Sequence, residues 1–213
     1  MANILSESSQ LIPSVGYHDL TKYTKPTTYW PSANETFSSL AKTYKTPKDI
    51  YEFVVKTLKY DKSKKPVRSG AIEALSKPES ALCTEFTDLF ITMSRAAGIP
   101  ARELNGFAYT SNPELRPLSL SGIDVLHAWP QYWDFAKSTW ISVDPTWEVT
   151  TKGIDYFSKM DFNHFAFVNH GVSDTEPRSA GFYKLPGDET KSVDVKFGEF
   201  KDYQALPLEL KVE

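Results

Sequence analysis

The chain has 213 residues, a net charge of −3 and a single cysteine. That length suits one domain with extra pieces at its ends. The mixed charge argues against a nucleic-acid or anionic-membrane partner, and one cysteine excludes an internal disulfide or a multi-cysteine zinc site.

No apolar run approaches the ~20 residues of a membrane helix. The opening "MANILSESSQ" has neither the basic nor the apolar region of a signal peptide. Residues 1–33, rich in Ser, Thr, Tyr and Pro, read as an extended N-terminal arm. Helical signals begin with "NETFSSLAKTY" and strengthen in "TPKDIYEFVVKTLKYD". There Thr46 can cap, Pro47 suits the first helical position, and Asp49 suits the positive end of the helix dipole. Ile50, Phe53, Val54 and Leu58 form one stripe. The basic run Lys62–Arg68, "KSKKPVR", reads as a solvated loop, and "SGAIEALSK" as a short helix.

The segment "ESALCTEFTDLFITMSRAAGIPAR" (79–102) gives the clearest helix. Phe86, Leu89, Phe90, Met93 and Ala97 share a face, and Gly98 followed by Ile99-Pro100 stops it. Beyond Pro100 the pattern turns to strands: "ARELNGFAYT", then "VLHAWPQYW" and "TWISVDPTW" joined by "DFAKS". A hairpin closed between Trp133 and Ser138 would set His127 directly opposite Asp144. "HFAFVNHG", "SVDVKFGEF" and "ALPLELKVE" are further strand candidates. Residues 186–213 read as a β-rich segment that could start a following domain. The arm and the strand-like ending suggest a piece of a longer exported or cell-envelope protein.

Cys83 falls at the first turn of the 79–102 helix. Unpaired N–H groups and the positive dipole end favour a thiolate there. An imidazole on a facing strand could take the thiol proton, and a carboxylate across the hairpin could fix that imidazole's tautomer. Cys83, His127 and Asp144 are thus candidate nucleophile, base and orienter. The alternative is a buried cysteine, a sheet histidine and a turn aspartate.

At these residues the chain resembles the transglutaminase-like superfamily, which shares the papain-like fold. The resemblance is carried by "CTEFTDLFITMSRAAGIPAR" (83–102), "NGFAY" (105–109), "HAWPQYW" (127–133) and "WISVDPTW" (140–147), with flanking support from 46–61 and 155–167. It covers roughly residues 34–170. It implies an α+β papain-like fold over residues 34–185: a helical lobe whose nucleophile helix packs on an antiparallel sheet. The implied catalytic residues are Cys83, His127 and Asp144.

The implied chemistry is acyl transfer from a protein or peptide carboxamide through a thioester, without a cofactor, and with hydrolysis favoured over amine crosslinking. A non-catalytic protein- or glycan-binding module on the same fold is the alternative. The backbone N–H of Cys83 is an oxyanion donor candidate, with Tyr60 and Gln131 as possible second donors. Trp129 and Trp147 are cleft-wall candidates, although packing is the default for them and for Trp133 and Trp140. Arg95 and Arg102 read as structural. His164, His170 and Asp161 match no zinc spacing, and no metal is expected. Ala81 and Leu82 depart from the family, which often carries glycine just before the cysteine.

Overall fold

The computed structural model describes residues 17–64, 67–108, 126–160 and 164–171. The strand candidates at 192–200 and 205–213, and the whole segment 186–213, lie outside the described residues. So does Asp161.

Among the described residues, one 3-10 helix, five α-helices and four strands follow one another. A 3-10 helix, Tyr17–Thr24, precedes α1 (Glu35–Leu40), α2 (Pro47–Thr57), α3 (Gly70–Ser76) and α4 (Cys83–Ala96). Asn34 caps α1 by accepting from the Thr36 amide at 2.9 Å. Thr46 and Asp49 form a reciprocal capping box on α2, with Pro47 at its start. Gly98, at φ 77°, supplies the left-handed turn that ends α4.

The strands are β1 (Ala101–Ala108), β2 (Leu126–Asp134), β3 (Thr139–Ser142) and β4 (His164–His170), with α5 (Pro145–Thr150) between the last two. They form an antiparallel sheet in the order β3-β2-β1-β4. The molecule is therefore α+β, helices on one curled sheet.

The α4 pattern predicts one buried face. Instead every residue from Thr84 to Arg95 is buried. Phe86, Leu89, Phe90 and Met93 join Ile50, Val54 and Leu58 of the α2 stripe in the main core. Several polar positions of α4 are buried against partners, while Thr92 Oγ1 and Ser94 Oγ have none among the described residues. Thr87 Oγ1 donates to the Ala128 carbonyl of β2 at 3.2 Å. Arg95 donates to the carbonyls of Lys25, Ala101 and Gly171.

The basic run, read as a solvated loop, is solvated at Lys62, Ser63 and Val67 but departs from that reading at Arg68. Arg68 is buried between Asp88 of α4 and Glu103 of β1, and donates to both carboxylates. Trp30 Nε1 donates to the same Asp88 at 2.7 Å. The segment expected as an extended arm thus carries a 3-10 helix and a fully buried tryptophan. Burial weighs against a charged Asp88 while Arg68 weighs for it; nearby Glu103 and Glu85 help leave its pKa raised to about 7.

The hairpin register also differs. Trp133 pairs with Trp140 and Asp134 with Thr139, a slide of two from the register that faces His127 with Asp144. The turn chemistry explains the slide. Asp134 Oδ1 accepts from the amides of Ala136 and Lys137, so Asp134 must open the turn. Ser138 closes it at φ 50°. Strand β3 then ends at Ser142, and the "DPTW" stretch expected as strand begins α5 instead.

Candidate active site

Cys83 is the first residue of α4 and is partly exposed. Its helix start is held by Glu85, which is fully buried. Glu85 Oε2 accepts the Leu82 amide at 2.9 Å and Lys64 Nζ at 3.0 Å. Its Oε1 accepts both the amide and the hydroxyl of Ser69. The amides of Glu85 and Phe86 turn back to the Leu82 carbonyl. Among the described residues this leaves the amides of Cys83 and Thr84 as the open donors of the first turn.

Asp144 reaches His127 by a different route from the one the strand register suggested. It is the N-cap of α5: Oδ1 accepts the Trp147 amide at 3.0 Å, and Pro145 occupies the first helical position. Its backbone is pinned as well. The Asp144 amide donates to the Tyr156 carbonyl at 3.2 Å, and Tyr51 Oη donates to the Asp144 carbonyl at 3.1 Å. The remaining oxygen, Oδ2, lies 2.7 Å from His127 Nε2.

With Nε2 committed to Asp144, Nδ1 is the ring nitrogen left for the thiol. Burial alone would lower the pKa of His127. The Asp144 charge and hydrogen bond, and a hydrogen bond with Cys83, outweigh it and raise the value to about 9. Burial likewise opposes ionisation of Asp144, but His127 and His164 hold its carboxyl well below the usual carboxylate range.

His164 is the residue that sequence reasoning did not place here. It opens β4, opposite Ala108 of β1, and its Nε2 lies 2.9 Å from the same Asp144 Oδ2. Trp129 and Trp147 pack around the two imidazoles. Trp129 stacks on His127 at 5.8 Å between ring centroids, and Trp147 meets His164 edge-on at 4.8 Å. Both tryptophans are buried. No local pattern marks His164, because its approach depends on how β4 docks on β1, two strands away from His127.

The other candidates fall as follows. Tyr60 forms a parallel bridge with Ala81, which sets it beside the approach to Cys83. Gln131 is used within the sheet: it accepts from Arg102 Nε at 2.8 Å and donates to Ser142 Oγ at 2.8 Å. Arg102 also lies over the Trp140 ring at 4.0 Å. His170 pairs with Glu103 across β1 and β4, away from His164 along the strand.

His127, Asp144 and His164 each offer a ligand atom, all within 4.8 Å of one another. The carboxylate oxygen, however, sits at hydrogen-bond distance from both nitrogens. Two ligands of a tetrahedral zinc ion would stand about 3.3 Å apart, so the spacing is that of two N–H donors on one carboxylate.

A helix that opens on a cysteine, lying on an antiparallel sheet whose histidine meets a buried carboxylate, places the chain in the class of papain-like folds. Within that class the chain belongs to the transglutaminase-like superfamily, whose pattern it matches over residues 32–145. It is 34% identical over 87 residues to a protein-glutamine gamma-glutamyltransferase of Pseudomonas aeruginosa, a match covering 40% of this chain and 13% of that protein.

Among solved structures its fold is similar to that of a candidate cysteine protease from Cytophaga hutchinsonii. There the TM-score is 0.50 at 19% identity, over 76% of this chain and 59% of that one. The periplasmic domain of TgpA from Pseudomonas aeruginosa gives a TM-score of 0.45 at 23% identity, over 66% of this chain and 52% of that one. The chain thus spans only part of the length of these relatives. Among the described residues no helix is long and apolar enough to cross a membrane.

Proposed function

We propose that this domain transfers the acyl group of a protein or peptide carboxamide to water, through a thioester on Cys83. The observation that carries this reading is the 2.7 Å contact between His127 Nε2 and Asp144 Oδ2, with Cys83 near enough to help raise the pKa of the same imidazole. The Cys83 sulfur attacks the carboxamide carbon, and the developing oxyanion meets the amide of Cys83. Both ends of the Gln131 amide are engaged within the sheet, which argues against Gln131 as the second donor.

The C–N bond breaks as His127 gives its proton to the leaving amine. Water then adds to the thioester and His127 takes up its proton. The S–C bond breaks, and carboxylate and thiolate are released. Burial of Trp129 and Trp147 against the imidazoles supports water over an amine as acceptor. A tryptophan that walled an acceptor channel would present ring surface to it.

The test is a glutamine-containing peptide or casein, with and without a fluorescent primary amine at millimolar concentration. Ammonia or new termini should exceed label incorporation, and both should vanish in Cys83→Ala. Dominant amine incorporation would make the domain a crosslinking transferase. Equal turnover by Cys83→Ala would remove Cys83 as the nucleophile, and no turnover by the parent on any amide would leave a binding module.

A further inference from the structure

We propose that His164 is a positioning residue for the reacting pair, whose ring N–H fixes the Asp144 carboxylate as a second donor and takes up part of the charge that His127 would otherwise feel. This rests on the catalytic reading of Cys83, His127 and Asp144.

The geometry is specific. Asp144 Oδ2 lies 2.7 Å from His127 Nε2 and 2.9 Å from His164 Nε2, while Oδ1 is held by the Trp147 amide at 3.0 Å. A carboxylate only accepts, so both imidazoles must present Nε2–H to it. Three donors on two oxygens leave the carboxylate plane no freedom to turn. The His164 side chain is 3% exposed, and its ring is enclosed by Trp129 at 5.1 Å, Trp147 at 4.8 Å and Tyr156 at 6.0 Å. A ring packed on three sides by aromatics keeps one orientation and keeps that donor aimed.

Each donor on a carboxylate oxygen drains charge from it and weakens its hold on the other. With His164 in place, Asp144 orients His127 without gripping its proton so tightly that it is withheld from the leaving amine. The other ionisable groups around the trio are few. Cys83 faces His127 from α4. Tyr51 of α2 donates to the Asp144 carbonyl, with Glu148 of α5 beside it. Tyr156 packs on His164 from the segment before β4. None of these supplies a second N–H to Oδ2.

The experiment compares His164→Leu, which removes the donor, with His164→Gln, which can present an amide N–H to the same oxygen. Two readouts are taken on the full chain: the NMR titration of the His127 ring, and kcat and KM for amide hydrolysis. In His164→Leu the His127 midpoint should rise by at least about half a pH unit. Its kcat should fall about 10–100-fold, as when an outer hydrogen-bond partner is lost, with KM unchanged. His164→Gln should return kcat to within about threefold of the parent and the midpoint to within about 0.2 pH unit.

An unmoved midpoint in a folded Leu variant overturns the proposal, as does a folded Gln variant no better than Leu. Should the Leu variant not fold, the Gln variant decides: parental midpoint and kcat support the role, and loss of either overturns it. The ring titration needs no substrate, so it judges His164 even if Cys83→Ala shows the chemistry to lie elsewhere.

Discussion

At the scale of single residues, Asp144 is held by more contacts than any turn residue needs. Its side chain caps α5 and meets two imidazoles, while its backbone is tied to Tyr51 and Tyr156. Cys83 and His127 could be read from sequence because their neighbours set them on a helix start and a strand. Asp144 could be named, but its placement was misread. "DP" before a short apolar stretch is a helix-start signal, and the aromatic run "TWISVDPTW" hid it by resembling one continuous strand.

The charge of Asp144 has a stability consequence. The folded His127 pKa is raised to about 9, above the ~6.5 of a free imidazole. Its contribution is therefore fully present below about pH 6.5 and lost as pH rises through 9, on the order of 3 kcal/mol over that window. Asparagine at 144 keeps a cap acceptor but turns an N–H toward two N–H donors. Asp144→Asn should lower the His127 midpoint toward the free value and remove that slope from urea unfolding measured between pH 6 and 9. A slope equal to the parent's would show that Asp144 does not set the His127 proton.

At the scale of elements, the site depends on how closely β4 lies on β1. Gly106 faces His127 on one side and Ala166 on the other. A Cβ there would fall 1.9 Å from the Phe165 carbonyl oxygen, beside the register shift at Asn105 and Gly106. Backbone cannot yield as a side chain can. Gly106→Ala should therefore cost about 1–3 kcal/mol in urea unfolding, push β4 outward, and lower kcat by loosening His164. Unchanged stability and kcat would show that β4 docks less tightly than described. The glycine stands in "NGFAY", a stretch the sequence marks as a family motif, yet only strand pairing shows what its missing side chain permits. Helix starts at Asn34 and Thr46 and the stop at Gly98 were legible because capping is local. The hairpin register was not, since one aspartate in the turn decides it.

At the scale of the whole molecule, the Arg68 network joins four stretches of chain around α4. Arg68 meets Asp88 and Glu103, Asn105 donates to Glu103, and Trp30 donates to Asp88. Removing the guanidinium leaves two buried carboxylates uncompensated. Arg68→Met should destabilise the fold by about 3–5 kcal/mol. Because those carboxylates would then need protons to stay buried, the loss should shrink on acidification. A substitution as mild at pH 7 as at pH 5, followed by urea midpoint, would contradict that account. From sequence alone this arginine belonged to a basic surface run, because its two partners lie 20 and 35 positions away.

Trp30 has a practical consequence for where this unit can be cut. Family similarity begins at residue 32, and a gene trimmed there would look complete on paper. The protein made from it would lack the indole that donates to Asp88, the backbone at Lys25 that receives Arg95, and the Tyr23 ring beside Trp140. The cooperative folding unit therefore starts upstream of the recognisable domain. Expression trials should keep the chain from residue 17 onward if the helix that opens on Cys83 is to stay dry.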